Sequence, residues 1–327
     1  MSKALWLEKT DDGHKIRIGP ISETDLPEGD VTIEVAYSTL NYKDALAVTG
    51  KAPIVRSWPM VPGIDFSGTV EESHHHEWQP GDKVVLNGWG IGETRLGGMA
   101  SLARVPGDWL VRLPDAYSLE DAMAIGTAGY TAMLAVMRLD EAGLKPDAGP
   151  LLVTGAMGGV GSVAIMLLAE RGFEVWGLTG RPEEEAHLKS LGAAGIVPRE
   201  ELSGKQKPLL KERWAGGVDA VGSHVLANLV ASTRYRGTVA ACGLAAGMDL
   251  PVTVAPFILR GVTLAGIDSV YVPGPRRRAA WHHLASELPA ERLRAISRTI
   301  GLDEVEAASA ELLAGKVKGR LVVEVGD

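Results

Sequence analysis

Between residues 151 and 161 the chain reads Leu-Leu-Val-Thr-Gly-Ala-Met-Gly-Gly-Val-Gly, an apolar run that breaks into a glycine-rich turn and resumes as a helix. Few local sequences limit a fold more. Gly155, Gly158, Gly159 and Gly161 let the backbone turn sharply and let a pyrophosphate come close. The helix behind them offers that anion unpaired N–H groups and the positive end of its dipole. Such a pattern carries weight only after a strand, before a helix and inside a strand–helix alternation. All three conditions hold. Apolar strands are predicted at 151–154, 174–179, 195–197, 218–221, 238–241 and 262–265, with helices at 160–171 and 183–191 among them. Short apolar strands separated by helices imply α/β architecture, a parallel sheet covered on both faces. Six of them fit a doubly wound Rossmann domain.

The second strand decides the nucleotide. NAD-binding domains usually close it with an acid that bonds the ribose 2′-hydroxyl. Here it ends Val175-Trp-Gly-Leu-Thr-Gly-Arg181, and the acid is absent. Thr179 offers a hydroxyl beside Gly180, and Arg181 a guanidinium fork suited to a 2′-phosphate. Arg199, after the third strand, is a second candidate clamp. NADPH is the expected cofactor.

Before residue 120 the rhythm differs. Short strands at 31–37, 68–70, 83–86 and 100–105 are punctuated by Pro62-Gly63, Pro80-Gly81 and Pro106-Gly107. This spacing implies a barrel-like β unit. The segment Arg320-Leu-Val-Val-Glu-Val325 reads as one more strand, returning to that unit. A chain of 327 residues has about twice the usual domain length. Two domains are expected, 1–120 with 269–327 and 121–268.

Charge and cysteine content narrow the class. A net charge of −8 speaks against nucleic acid as a partner, which needs a basic surface. The single cysteine, Cys242, excludes an intrachain disulfide and a cysteine-rich zinc site. The start lacks the apolar run of a signal peptide, and the most apolar helical stretch, near 160–169, is too short to cross a bilayer. No membrane partner and a cytoplasmic location are expected.

The order of a β unit, a dinucleotide unit and a returning segment resembles the medium-chain dehydrogenase/reductase superfamily, whose first domain is a GroES-like β-barrel. In its zinc alcohol dehydrogenases a Cys-His-x-Asp turn and a Gly-His-Glu segment hold the catalytic metal. The matching segments here are Asn41-Tyr-Lys-Asp44 and Gly63-Ile-Asp-Phe66. An amide at 41 and an isoleucine at 64 cannot replace thiolate and imidazole around zinc, so no metal is expected. The run His74-His75-His76 reads as a surface loop, because neighbouring side chains in extended chain diverge.

Further segments resemble one branch of the superfamily, the acryloyl-CoA reductases and their quinone oxidoreductase-like relatives. They are Ser38-Thr-Leu-Asn-Tyr-Lys-Asp-Ala45, Val61-Pro-Gly-Ile-Asp-Phe-Ser-Gly-Thr69, Gly88-Trp-Gly-Ile-Gly92, Ile125-Gly-Thr-Ala-Gly-Tyr-Thr-Ala-Met133, Val239-Ala-Ala-Cys-Gly-Leu244 and Gly266-Ile-Asp-Ser-Val270. The resemblance implies reduction of acryloyl-CoA to propanoyl-CoA with NADPH. Hydride arrives at the β-carbon, charge moves to the thioester oxygen, and a proton reaches the α-carbon. Asn41, Tyr42 and Asp44 are the implied catalytic residues, with Ile64 and Trp89 against the substrate. Tyr42 is the one side-chain proton donor among them, although a phenol is a weak acid. Water is the alternative donor, packing the alternative role for Tyr42, and a local anchor the alternative role for Asp44.

On the cofactor side the resemblance implies Thr127 and Thr131 at the nicotinamide ribose, Met157 and Val160 within the phosphate turn, and Arg320 at the phosphates. Ser223, Cys242, Gly243, Leu244 and Ile267 follow predicted strands, at the ends where open α/β sheets bind ligands. Cys242 reads as a small buried residue with no base beside it. The run Arg276-Arg277-Arg278 reads as a solvated helix start, with contact to CoA phosphates as the alternative. Two other functions stay open: an NADPH:quinone oxidoreductase and, in another class, a non-catalytic NADPH-binding sensor. A homodimer is also implied, joined along the sheet edge where the sixth strand lies.

Overall fold

The computed structural model describes residues 2–326. The chain forms two compact units, one running to Thr127 and resuming at Ser269, the other spanning Ala128–Asp268.

The first unit opens with a hairpin of β1 (Lys3–Thr10) and β2 (Gly13–Pro20). Seven strands then share one sheet: β3 (Val31–Thr39), β4 (Asp65–Ser73), β5 (Lys83–Asn87), β6 (Leu102–Val105), β7 (Val111–Arg112), and late in the chain β14 (Ser297–Gly301) and β15 (Arg320–Glu324). Their order is β14-β15-β3-β4-β5-β7, with β6 paired to β3. The core is where strand alternation predicts it: Val31, Ile33 and Val35 of β3 are buried with Phe66, Val84 and Leu86. β2 is Gly-His-Lys-Ile-Arg-Ile-Gly-Pro and largely exposed, with a short apolar face of Ile16, which packs against the core, and the exposed Ile18.

The second unit is a six-stranded parallel sheet of β8 (Leu151–Val153), β9 (Val175–Thr179), β10 (Gly195–Pro198), β11 (Trp214–Asp219), β12 (Thr233–Ala241) and β13 (Thr263–Gly266). The order β10-β9-β8-β11-β12-β13 is the doubly wound arrangement, reversing between β8 and β11. β11 starts earlier than the sequence suggests, because Trp214 already pairs with Thr233 of β12. The intervening Ala-Gly-Gly lowers the local strand signal.

The helix around 160–169 is strongly apolar and short, as expected, but a longer apolar helix precedes it. Leu119–Glu141 is a helix of 23 residues, longer than the 160–169 stretch and apolar enough to cross a membrane by length and composition. Its residues are mostly buried in the fold, and Gly126 interrupts it with φ 49° and ψ −161°.

Candidate active site

In the first unit, β3 ends at Thr39, β4 begins at Asp65, and β5 ends at Asn87, with Asp65 directly opposite Asn87 in the ladder. Three of the sequence candidates follow β3 immediately. Asn41 caps the helix Tyr42–Thr49, and Asp44 at its third position accepts the Asn41 backbone N–H at 2.9 Å. An Asn cap with an acid three residues on is a local helix-start signal. The same Asp44 carboxylate accepts from Gly63 N (3.1 Å) and Ile64 N (3.0 Å), so it ties the helix start to the loop before β4. Burial, reinforced by the Asp65 charge, pushes Asp44 up to about 7 against these three donors. Its contacts are those of an anchor.

The residue that organises the cluster is Asp65. Its carboxylate accepts from Thr39 Oγ1 (2.6 Å), Asn41 Nδ2 (3.0 Å) and the Thr127 backbone N–H (2.6 Å). The break at Gly126 makes the last of these contacts possible. A side chain there would lie 2.3 Å from Arg320 Nη2 and 3.1 Å from Asp65 Oδ2. Asn41 Nδ2 also donates to Thr39 Oγ1 (2.7 Å), and its Oδ1 accepts from Arg320 Nη1 (3.2 Å). Asn41 is therefore fully engaged inside its own unit, and its amide has no hydrogen left for a substrate oxygen. Arg320 differs from expectation. Instead of standing open to cofactor phosphates it is 4 % exposed, held by the Ala124 carbonyl (3.1 Å) and Asn41.

Tyr42 is the exception to all this engagement. As the first residue of its helix it is 42 % exposed, in a row of otherwise buried candidates. Ile64 is buried. Trp89 sits in the left-handed region at φ 58°, stacked on Trp109. Arg277 overturns the solvated reading of its run: it is 1 % exposed and donates to the Asn87 and Val270 carbonyls. In the His74–His76 loop, His75 turns inward to Asp108 (Nε2 to Oδ1, 3.3 Å). No group of three metal-binding side chains occurs among the described residues.

In the second unit the carboxyl ends of the strands gather the nucleotide candidates. After β8 the turn passes through Gly155 at φ 60°, Met157 is buried, and Gly158 caps the helix Gly159–Glu170, with Val160 in its first turn. A side chain on Gly161 would come within 2.3 Å of the Gly155 carbonyl, so the turn and helix pack as closely as the motif requires. These backbone groups fit a pyrophosphate. Asp219, which closes β11, accepts from Thr154 Oγ1 (2.6 Å) and Gly222 N (2.8 Å), bracing the phosphate turn against the loop that leads to Ser223. Neither Asp219 nor Asp65 stands out in the sequence: Asp219 is a single acid closing β11, and Asp65 opens β4, a strand with two further acids.

Register explains the 2′-phosphate candidates. Pro198 of β10 lies opposite Thr179 of β9, which brings Arg199 beside Gly180. Thr179 Oγ1 accepts the Arg181 backbone N–H at 3.0 Å. Two guanidinium groups and a hydroxyl thus come from one corner of the sheet. Thr131 is buried in this unit, whereas Thr127 lies in the first. Cys242, Gly243, Leu244 and Ile267 line one open cavity of about 530 Å³. Burial and the neighbouring Asp219 push the Cys242 thiol up to about 12, which leaves it an inert side chain.

The model of the alcohol dehydrogenase GroES-like domain matches residues 27–115, and that of the zinc-binding dehydrogenase matches residues 159–286. The acrylyl-CoA reductase AcuI of Ruegeria pomeroyi is 51% identical over 328 residues, covering 99% of each chain. The chain belongs to the medium-chain dehydrogenase/reductase superfamily. Within it, the putative quinone oxidoreductase YhfP of Bacillus subtilis is 45% identical, covering 99% of this chain and 98% of its own. The crystal structure of the yhdH oxidoreductase from Salmonella enterica in complex with NADP superposes with a TM-score of 0.97 at 48% identity, covering 99% of both chains. Zinc, which the second family description names, does not fit the residues present. The amide at 41 is occupied by Thr39, Asp65 and Arg320, and residue 64 offers only hydrocarbon.

Proposed function

We propose that this protein is an NADPH-dependent reductase of an activated carbon–carbon double bond, converting acryloyl-CoA to propanoyl-CoA without a metal. The observation that carries the proposal is full-length similarity, 51% over 99% of both chains, to a protein named acrylyl-CoA reductase. The nucleotide corner agrees with NADP in the Salmonella relative, since Thr179, Arg181 and Arg199 replace the acid of NAD-binding sheets.

When bound, NADPH supplies the hydride. The chain's own residues supply the rest. The Gly155–Val160 backbone and the helix start hold the pyrophosphate, and Arg181 with Arg199 holds the 2′-phosphate. Asp65 and Asp44 fix the loops around Tyr42 and Ile64. Developing charge on the thioester oxygen needs an oriented donor, and the Asn41 amide is excluded because both its hydrogens have partners. The exposed Tyr42 hydroxyl is the donor that remains among the catalytic candidates.

A second reading, NADPH:quinone oxidoreductase, is favoured by the similarity to YhfP. A homodimer is the proposed assembly. β13 ends the parallel sheet, and Met248, Val254, Ile258 and Leu259 in the segment leading into it are exposed. NADPH oxidation followed with acryloyl-CoA, crotonoyl-CoA and a panel of quinones tests the function. Turnover of quinones with none of acryloyl-CoA would replace the proposal by the second reading.

A further inference from the structure

The loop after β5 carries a layered stack of side chains. Trp109 covers one face of the Trp89 indole, 5.4 Å between centroids and 3° from parallel. The Arg277 guanidinium lies over the Trp89 ring 5.0 Å from its centroid, and Tyr271 meets the ring edge-on at 6.2 Å and 76°. Arg95 closes the far side, 5.0 Å over Trp109. The backbone is pinned by the same group: Arg277 donates to the Asn87 carbonyl (2.5 Å) and the Val270 carbonyl (3.1 Å), and Val270 also accepts the Trp89 N–H (3.1 Å).

Trp89 needs such support. A bulky residue at φ 58° persists only where its surroundings over-determine it. The buried guanidinium does this as no aliphatic side chain can, because its planar fork takes two carbonyls while its face lies on the indole. Arg277 occupies a place that a charge enters only for a reason, in a run whose neighbour Arg278 is exposed.

We propose that Arg277 is a positioning residue that locks the Trp89 indole against Trp109, and thereby sets how large a β-substituent the substrate site accepts. The second half rests on the reading that Trp89 lines the substrate site. A rigid aromatic wall rejects an extra methyl, whereas a loosened one yields to it. One misplaced methyl group in a tight pocket is worth roughly 10–200-fold in kcat/KM.

The test uses the full-length protein labelled with 5-fluorotryptophan, with the Trp89 resonance assigned by Trp89→Phe. In Arg277→Lys, which keeps the charge and loses the planar fork, that resonance should shift or broaden while NADPH affinity holds. The ratio of kcat/KM for acryloyl-CoA over crotonoyl-CoA should fall about tenfold toward one. General damage would lower both substrates together and leave the ratio alone. Trp89→Ala should give the same fall, and adding Arg277→Lys to it should change the ratio no further. A Trp89 resonance and a ratio both unmoved in Arg277→Lys overturn the lock. A moved resonance with a parental ratio in Trp89→Ala overturns the specificity role through the reading beneath it. If Arg277→Lys fails to fold, Trp109→Leu loosens the opposite face of the same indole and is read by the same resonance and ratio.

Discussion

Arg320 Nη1 donates to Asn41 Oδ1 at 3.2 Å, joining β15 to the cap of the helix Tyr42–Thr49. In the zinc members of the superfamily the residue aligned with Asn41 is a metal ligand. Here its carbonyl oxygen serves an arginine and its amide hydrogens serve Thr39 and Asp65. Activity should therefore survive exhaustive chelation, and elemental analysis should find no stoichiometric zinc. Activity that disappears with chelator and returns only with added zinc would contradict this account.

Cofactor choice follows from the β9–β10 corner. NADPH should bind at least about tenfold more tightly than NADH, a difference of about 1.4 kcal/mol. Arg181→Ala should erase most of this preference and leave NADH affinity nearly unchanged. Arg199, packed against Gly180, should behave alike but act less strongly if it only braces the corner. Titration by nucleotide fluorescence measures each affinity, and equal values for the two nucleotides in the parent protein would remove the basis for the assignment.

Asp44 should make stability depend on pH in a particular direction. Its folded value, about 7, lies above the ordinary carboxyl value of 3.8. The folded state thus keeps a proton that the unfolded state releases between pH 4 and 7. Stability from this group is present below pH 4, declines as pH rises, and is lost above about 7, with a slope of at most about 1.4 kcal/mol per pH unit. Asp44→Asn should abolish that decline. It should also cost about 1–3 kcal/mol, since one oxygen facing backbone N–H groups becomes an NH₂ group. Urea unfolding of both proteins at several pH values would expose an identical slope, and with it an error in this assignment.

The Rossmann sheet was legible because its signal is local. A strand, a glycine turn and a helix lie within twenty residues, and the strand of that unit, β8, is apolar throughout. The polar cluster was only half legible. Asn41, Tyr42 and Asp44 stand side by side in the sequence, but Asp65, Thr127 and Arg320 reach them from far along the chain. Nothing in a run of three arginines tells which one is buried. The helix turn sends Arg277 inward and leaves Arg278 outside, and only the carbonyls it meets, of Asn87 and of Val270, give the buried one a purpose.

Assembly is testable at the edge of the sheet. Light scattering at micromolar concentration should give twice the chain mass. Ile258→Asp, placed on the exposed face of the helix Ala255–Arg260, should shift the population toward monomer without changing NADPH affinity. A monomer mass in the parent protein would reject the dimer.

The remaining prediction concerns the proton. Around the start of the helix Tyr42–Thr49, Asn41 and Asp44 are committed to internal partners, and Tyr42 alone among the three is an exposed residue with a hydroxyl to offer. If that hydroxyl protonates or polarises the developing enolate, Tyr42→Phe should lower kcat with acryloyl-CoA by about 10²–10⁴-fold, the usual worth of a positioned acid. NADPH affinity should barely move, because the ring is kept and the candidate phosphate groups lie on other residues. A quinone takes its proton readily from water after reduction, so its turnover should fall far less in the same variant. This contrast separates acid catalysis from damage to the pocket, which would slow both substrates alike. Tyr42→Phe turning over acryloyl-CoA near the parental rate would assign the proton to water, and leave Tyr42 a packing role.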